Sequence, residues 1–264
     1  MTALRFENVH VHFGRGSRAF HAVRGVDLEV TSGRIMGLVG ESGSGKSTLA
    51  RAAVGLVEPS SGRIAADGVD LVHAKGAARA LRRRIQMIFQ DPSACLDPRM
   101  TISDSIAEAL TAAARRDGKP RPRRTEITAQ VERLLQTVHL DPRKAHDLPT
   151  AFSGGQRQRI AIARALAAAP TVLLADEITS ALDVSVQGAV LNLLLELQRE
   201  LQLTMLFVSH NLAVVRYVCD DVAVMRHGEL VETGPVLDVI DNPQHEYTRG
   251  LMAAIPQLGE TLFR

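Results

Sequence analysis

The residues best equipped for chemistry form the run Gly40-Glu41-Ser42-Gly43-Ser44-Gly45-Lys46-Ser47-Thr48. Its spacing, G-x-x-x-x-G-K-[ST], is that of a phosphate-binding loop, and the context agrees: an apolar strand, Ile35 to Val39, precedes it and Ser47 to Val54 reads as a helix. Gly40, Gly43 and Gly45 let the backbone turn tightly, so that successive N–H groups converge on phosphate oxygens at the positive end of that helix. Lys46 places a mobile charge on the outer phosphates, and Ser47 supplies a small hydroxyl that a hard cation such as Mg²⁺ accepts as a ligand. A second locus is the apolar run from Thr171 that ends in Asp176 and Glu177. A buried parallel strand would carry those charges at its carboxyl end, where open parallel sheets bind ligands. There Asp176 is placed to hold Mg²⁺ and Glu177 to orient or deprotonate a water.

These two loci suit many phosphate-loop enzymes, small-molecule kinases and GTPases among them. A third string is more selective. Ser153-Gly154-Gly155-Gln156, followed by Arg157 and Arg159, opens the segment Ile160 to Ala169, whose helix would turn its N-terminal N–H groups and dipole toward an anion. With it come Ser180 to Asp183 after the carboxylate pair, Gln90 after an apolar strand Ile85 to Phe89, and His210 after Thr204 to Val208. Together these strings resemble the ATP-binding-cassette family over nearly the whole chain.

The resemblance implies a site shared by two copies, in which Ser153 and Gly155 of one chain contact the γ-phosphate held by the loop of the other, with Gly154 and Gln156 in the same nucleotide-binding string. It implies that Gln90 senses Mg²⁺ and the attacking water, that His210 holds the γ-phosphate, and that Asp183 lies in the segment linking the two sites. An aromatic stacked on adenine is expected near the end of the first strand, with Phe13 preferred to Phe20; either could instead belong to the core. The chain departs from the family pattern at Ile178, where proline commonly follows the catalytic glutamate. A backbone-stiffening residue is lost there, but no acid or ligand, so an active site is expected.

The elements that must position these residues follow from composition and pattern. With 264 residues and 45% hydrophobic content the chain can bury a full core. The resemblance implies an α/β fold: a phosphate-loop (RecA-like) core over 1–91 and 154–236, an antiparallel β subdomain, an inserted α-helical subdomain over 92–153, where the pattern turns helical, and a tail over 237–264. Alternation in Val26, Leu28 and Val30 predicts a half-buried strand, and the phase shift from Leu4 and Phe6 to Val9 and Val11 predicts a bulge or break near Asn8. Ile127, Val131, Leu134, Leu135 and Val138 share one helical face, and Val186, Val190, Leu193, Leu194, Leu197 and Leu201 predict a core helix. The basic run Arg115 to Arg124, broken by prolines, reads as a solvated loop in preference to a contact for anionic lipid headgroups.

Other features bound the function. A net charge of +2 gives no electrostatic reason to expect nucleic acid as a partner. Cys95 and Cys219 stand far apart without metal-ligand spacing and read as reduced thiols. The amino terminus lacks the apolar core of a signal peptide, which predicts a protein that stays in the cytoplasm, and no segment reaches the ~20 apolar residues that a membrane span requires; the family resemblance implies a peripheral place at the cytoplasmic face of the membrane, through permease subunits. Asp241 to Leu251, continuing through Ile255-Pro256, resembles the C-terminal segment of the oligopeptide, dipeptide and nickel importer ATPases, as do Gly37 to Ser42 and Phe89 to Pro92. Read locally, His245 and Tyr247 in that segment do no more than form a turn and a short helix. The resemblance implies an ATP- and Mg²⁺-dependent importer subunit. Its partners would be a second ATPase, identical or paralogous, two membrane permeases and, indirectly, a solute-binding protein. The alternative is a soluble cassette ATPase in an enzyme complex, such as a carbon-phosphorus lyase component.

Overall fold

The computed structural model describes residues 2–14, 20–92, 95–180 and 182–253. Ala181 and the Ile255-Pro256 end of the tail lie outside the described residues. The chain begins with a long hairpin, β1 (Thr2–Phe13) and β2 (Phe20–Thr31). Val30 pairs with Leu4, Leu28 with Phe6 and Val26 with Val9, so the alternating side chains share one buried face. The register slips between Phe6 and Val9, where Asn8 adopts φ 45° and donates its N–H to Asp27 Oδ1 at 2.8 Å. Of the two expectations, bulge or break, the register shift is a bulge: one extra residue restores Val9 and Val11 to the buried face. With β4 (Ser61–Ala66) and β5 (Val69–Asp70) the hairpin forms an antiparallel sheet of order β2-β1-β4-β5.

The second sheet contains β3 (Ile35–Val39), β6 (Ile85–Ile88), β7 (Val172–Asp176), β8 (Thr204–Ser209), β9 (Asp221–Arg226) and β10 (Glu229–Pro235). Its order is β10-β9-β3-β8-β7-β6, parallel except for β10. Every residue of β3, β7 and β8 is buried, as a parallel sheet covered on both faces requires. Alternate side chains separate into two cores. Val39, Leu173, Ala175, Met205 and Phe207 face α5 (Gly154–Ala167), α6 (Val184–Leu201) and α7 (Leu212–Val218). Leu38, Val172, Leu174, Leu206 and Val208 face α1 (Lys46–Ala53) and the antiparallel sheet. The pairings Val39 with Ser209, Asp176 with Val208 and Ile88 with Ala175 align the carboxyl ends of four strands, so the segments after β3, β6, β7 and β8 emerge together.

After α2 (Gly76–Arg82) and β6 come α3 (Ile102–Arg116) and α4 (Arg124–Thr137), which pack on each other and on α5. Val131, Leu135 and Val138 are buried, with Ile127 and Leu134 packed against them. Three details differ from the sequence expectation. Helix α5 begins at Gly154, so the Ser153 string forms its cap and first turns rather than a lead-in. Leu201, the last residue of α6, is exposed rather than core. Arg116 is no solvated residue: its side chain is 3% exposed, bonds Asp117 at 2.8 Å and donates to the Ala168 carbonyl at 2.7 Å. Arg84, beside β6, bonds the same Asp117 at 3.0 Å, so the pair staples the end of α3 to the sheet. Among the described residues no helix is long and apolar enough to cross a membrane. Both cysteines are free, and burial pushes their thiols up, most strongly at Cys219.

Candidate functional site

The loop between β3 and α1 folds because its glycines occupy backbone and space that other residues cannot. Gly40 lies at φ 149°, and a Cβ there would stand 2.0 Å from the Met225 carbonyl of β9. Gly45 lies at φ 105°, with the Ala22 carbonyl 2.3 Å from any Cβ. Gly228, in the turn after β9, donates its N–H to the Ser44 carbonyl at 3.0 Å. The phosphate loop is thus braced on two sides by chain distant in sequence.

Lys46, buried at the head of α1, folds back over the loop. Its Nζ donates to the carbonyls of Gly40 (2.8 Å) and Glu41 (2.7 Å) and lies 3.3 Å from Ser44 Oγ. Burial lowers its pKa, opposed by the carboxylates of Glu177, Asp176 and Glu41. Ser47 donates its hydroxyl to Asp176 Oδ1 at 2.7 Å, while Arg51 stands 3.8 Å from the other oxygen. Burial raises the Asp176 pKa, the Ser47 bond and Arg51 opposing it. A buried carboxylate beside a hydroxyl is an oxygen donor set that a hard dication fits. Among the described residues no group of three or more His, Cys, Asp or Glu could hold a metal ion, so such a cation would draw its remaining ligands from phosphate and water.

Glu177 leaves the strand at φ 50°, its N–H donating to the Val208 carbonyl at 3.0 Å. This left-handed turn aims its carboxylate toward the end of β8, where Oε2 lies 3.4 Å from His210 Nδ1. Ile178 is buried in the helix-side core, so packing anchors a turn that lacks proline. Gln90 Nε2 donates to Ser180 Oγ at 3.0 Å, and Ser180 Oγ in turn donates to the Glu177 carbonyl at 2.9 Å. Ser180 therefore links the segments after β6 and β7. Its place in the Ser180-to-Asp183 string was visible in sequence, but its bonding was not.

The remaining expected residues lie apart from this network. Ser153 caps α5: its Oγ accepts from the Gln156 N–H (3.3 Å) and its N–H donates to Gln156 Oε1 (3.0 Å), a reciprocal capping box. A Cβ at Gly155 would come within 2.2 Å of Val186 Cγ1, so this glycine lets α5 and α6 meet at their N-termini. Asp183 caps α6, accepting from the Val186 N–H at 2.9 Å and from the Ser185 hydroxyl at 2.7 Å, and these bonds hold its carboxyl below the usual range. Among the described residues no hydrogen bond joins Ser153, Gly154, Gly155 or Gln156 to the phosphate loop of the same chain. Phe13 and Phe20 pair across the first hairpin and both are exposed, so neither is core.

Comparison with known proteins agrees with this geometry. Residues 23–180 match the family model described as ABC transporter, and residues 231–262 match that of the oligopeptide/dipeptide transporter C-terminal region. The chain is 51% identical over 243 residues to the glutathione import ATP-binding protein GsiA of Pectobacterium atrosepticum, and 51% identical over 244 residues to that of Escherichia coli K12. Each alignment covers 92% of this chain but 38% of the relative, so the chain spans about two fifths of their length. Among solved structures, cbiO1 from Clostridium perfringens, part of the ABC transporter complex cbiONQ, superposes with a TM-score of 0.79 at 28% identity, covering 98% of this chain and 97% of that one. The ATP-binding cassette MJ0796, in a dimeric post-hydrolysis state bound to ADP and Pi, gives 0.75 at 28% identity over 88% of this chain and 98% of that one. A phosphate loop bonded to a strand-end carboxylate is common to many folds, but joined to the capped helix at Ser153 and to these matches it is specific: the chain belongs to the ABC transporter family and carries the C-terminal region of its oligopeptide/dipeptide branch.

Proposed function

We propose that the chain is the ATP-binding and ATP-hydrolysing subunit of an importer for small peptides. The observation that carries the reading is the single connected edge formed by Lys46, Ser47–Asp176, Glu177–His210 and Gln90–Ser180 at the carboxyl ends of β3, β7, β8 and β6. In this reading residues 40–48 cradle the phosphates, and Ser47, Asp176 and Gln90 hold Mg²⁺. Phe13 stacks on adenine. Glu177 orients and deprotonates the water, with His210 beside it to hold the γ-phosphate. Bound Mg²⁺ supplies neutralisation of charge on the phosphate oxygens. The protein's own share is positioning and electrostatic stabilisation of an in-line displacement.

The exposed helix cap at Ser153 is turned to a second copy or paralogue, whose phosphate loop it would complete, with Asp183 between the two sites. We divide the chain into the nucleotide core over 1–91 and 154–236, the helical lobe over 92–153 and the tail over 237–264. A cleft of about 940 Å³ between α3, α5 and the edge strand β6, lined by Gln86, Cys95, Glu108 and Arg164, supports docking of a permease on the lobe. Two permeases and a solute-binding protein complete the assembly, which places this subunit at the cytoplasmic face of the membrane. Glutathione is a small peptide, so the relatives favour the peptide branch of the sequence expectation over the nickel branch. The match over residues 231–262 disfavours the soluble enzyme-complex alternative.

Affinity capture of the chain from detergent-solubilised native membranes with MgATP, followed by mass spectrometry, tests this. Permeases with a peptide-binding protein are expected. Recovery of soluble enzyme subunits alone would overturn the importer reading.

A further inference from the structure

The tail after β10 runs through α8 (Val236–Asp241) to α9 (Glu246–Ala253) and returns to the phosphate loop. Glu232 on β10 clamps the turn before α9, accepting from the N–H groups of Gln244 (2.8 Å) and His245 (3.2 Å). His245 Nδ1 accepts from the Tyr247 N–H at 3.1 Å, which fixes the first turn of α9. Tyr247 is half-buried against the helix-side core, and the Arg226 guanidinium lies 4.9 Å from the centre of its ring. Its hydroxyl accepts from the Glu41 N–H at 3.1 Å, a bond spanning 206 residues. The same Glu41 gives its carbonyl to Lys46 Nζ at 2.7 Å. The entrance to the phosphate loop is therefore held at one residue by two side chains, one of them from the tail.

We propose that Tyr247 is a positioning residue of the nucleotide site, through which the C-terminal tail and the phosphate loop stabilise each other. Tyr247 bonds the second residue of the loop and so fixes the loop's shape at Glu41. Lys46 must give up carbonyl bonds to reach a phosphate, and when it does the Tyr247 hydroxyl remains to hold the Glu41 peptide. Coupling between two sites is reciprocal, so a nucleotide that orders the loop must tighten α9 by the same factor that the tail contributes to nucleotide affinity. The proposal rests on the reading of this site as one for MgATP.

The test uses the full chain. In nucleotide-free protein, Tyr247→Phe keeps the ring over Arg226 and removes only the acceptor, so the Glu41 amide is expected to exchange hydrogen faster than in wild type. With MgATP, wild type is expected to show slower exchange across residues 246–253, a response Tyr247→Phe loses. The MgATP dissociation constant is expected to rise about two- to tenfold, the span of one net hydrogen bond. Glu232→Ala, which frees the turn without touching the tyrosine, reproduces the weakening. Unchanged Glu41 exchange in Tyr247→Phe, or wild-type affinity in both variants, overturns the proposal. Failure of the wild-type chain to bind MgATP would instead overturn the nucleotide reading beneath it, and the Glu41 comparison in nucleotide-free protein would still report whether the tyrosine holds the loop.

Discussion

Gly155→Ala opposes two effects of known size. Alanine favours a helix over glycine by up to about 1 kcal/mol, less in the first turn, where Gly155 lies. Against that gain, the added Cβ would sit 2.2 Å from Val186 Cγ1, far inside the ~3.5–4.0 Å of favourable carbon contact. Valine is β-branched and fixed at χ1 on a helix, so its methyl group does not swing aside cheaply. Overpacking of this kind costs about 1–3 kcal/mol, and the clash therefore wins. The assay is urea unfolding of Gly155→Ala, Val186→Ala and the double variant. Val186→Ala alone is expected to cost about 1 kcal/mol, because half-buried methyl groups are lost. The double variant should recover at least ~1 kcal/mol relative to the sum of the singles. Additivity within about 0.5 kcal/mol would refute the argument that Gly155 is dictated by the meeting of α5 and α6.

Glu177→Gln keeps the size of the side chain but removes its basicity; it should retain MgATP, accumulate a closed dimer on sizing columns and lose about 10²–10⁴-fold in turnover, and near-normal hydrolysis would sink the assignment. Asp117 is held well below the usual carboxylate range by its bond to Arg116 and then by Arg84, so the stability it contributes is present above about pH 4 and lost as pH falls toward its folded pKa. Asp117→Asn should accordingly lower the melting temperature at pH 7 and converge on wild type in acid, whereas a gap constant between pH 7 and pH 3 would exclude that linkage. Asp176→Asn should abolish the strengthening of ATP binding by Mg²⁺ while leaving metal-free ATP affinity within about threefold; a preserved Mg²⁺ effect in fluorescent-nucleotide titrations would count against Asp176 as the metal-side carboxylate.

What could be read from sequence was what local spacing encodes. The loop from Gly40 to Thr48 and the pair Asp176 and Glu177 are short strings whose residue types are constrained one by one, and the bulge at Asn8 announced itself as a change of phase between Phe6 and Val9. What escaped depends on which strands become neighbours. Strand β9 lies beside β3, so Met225 and Gly228 brace a loop far earlier in the chain, and no periodicity records that adjacency. Tyr247 escaped for the same reason, since its partner is a backbone N–H and leaves no residue-type signal at Glu41. Arg116 was misread because charge along a chain says nothing of burial, and a guanidinium that finds a carboxylate and a helix-end carbonyl can be enclosed. The start of α5 was placed late because glycine at its first two positions disfavours a helix in isolation, a cost the reciprocal Ser153 and Gln156 cap and the contact with α6 offset.

Under the proposed MgATP reading, the electrostatics of the site favour the joint arrival of nucleotide and metal. Burial pushes Lys46 and Asp176 each toward its neutral form; the carboxylates of Glu177, Asp176 and Glu41 oppose this at the lysine, and the Ser47 hydroxyl and Arg51 oppose it at the aspartate. A triphosphate alone would satisfy Lys46 but bring negative charge toward Asp176 and Glu177. A dication alone would satisfy Asp176 but oppose the buried ammonium. Only the two together supply opposite charge to both groups without leaving either one desolvated and unpaired, which is the expensive condition. The bonds that Lys46 and Ser47 surrender are to groups within the loop and at the end of β7. The loop's shape during the exchange therefore depends on contacts that do not break: the Met225 carbonyl packed against Gly40, the Gly228 N–H on Ser44 and the Tyr247 hydroxyl on Glu41.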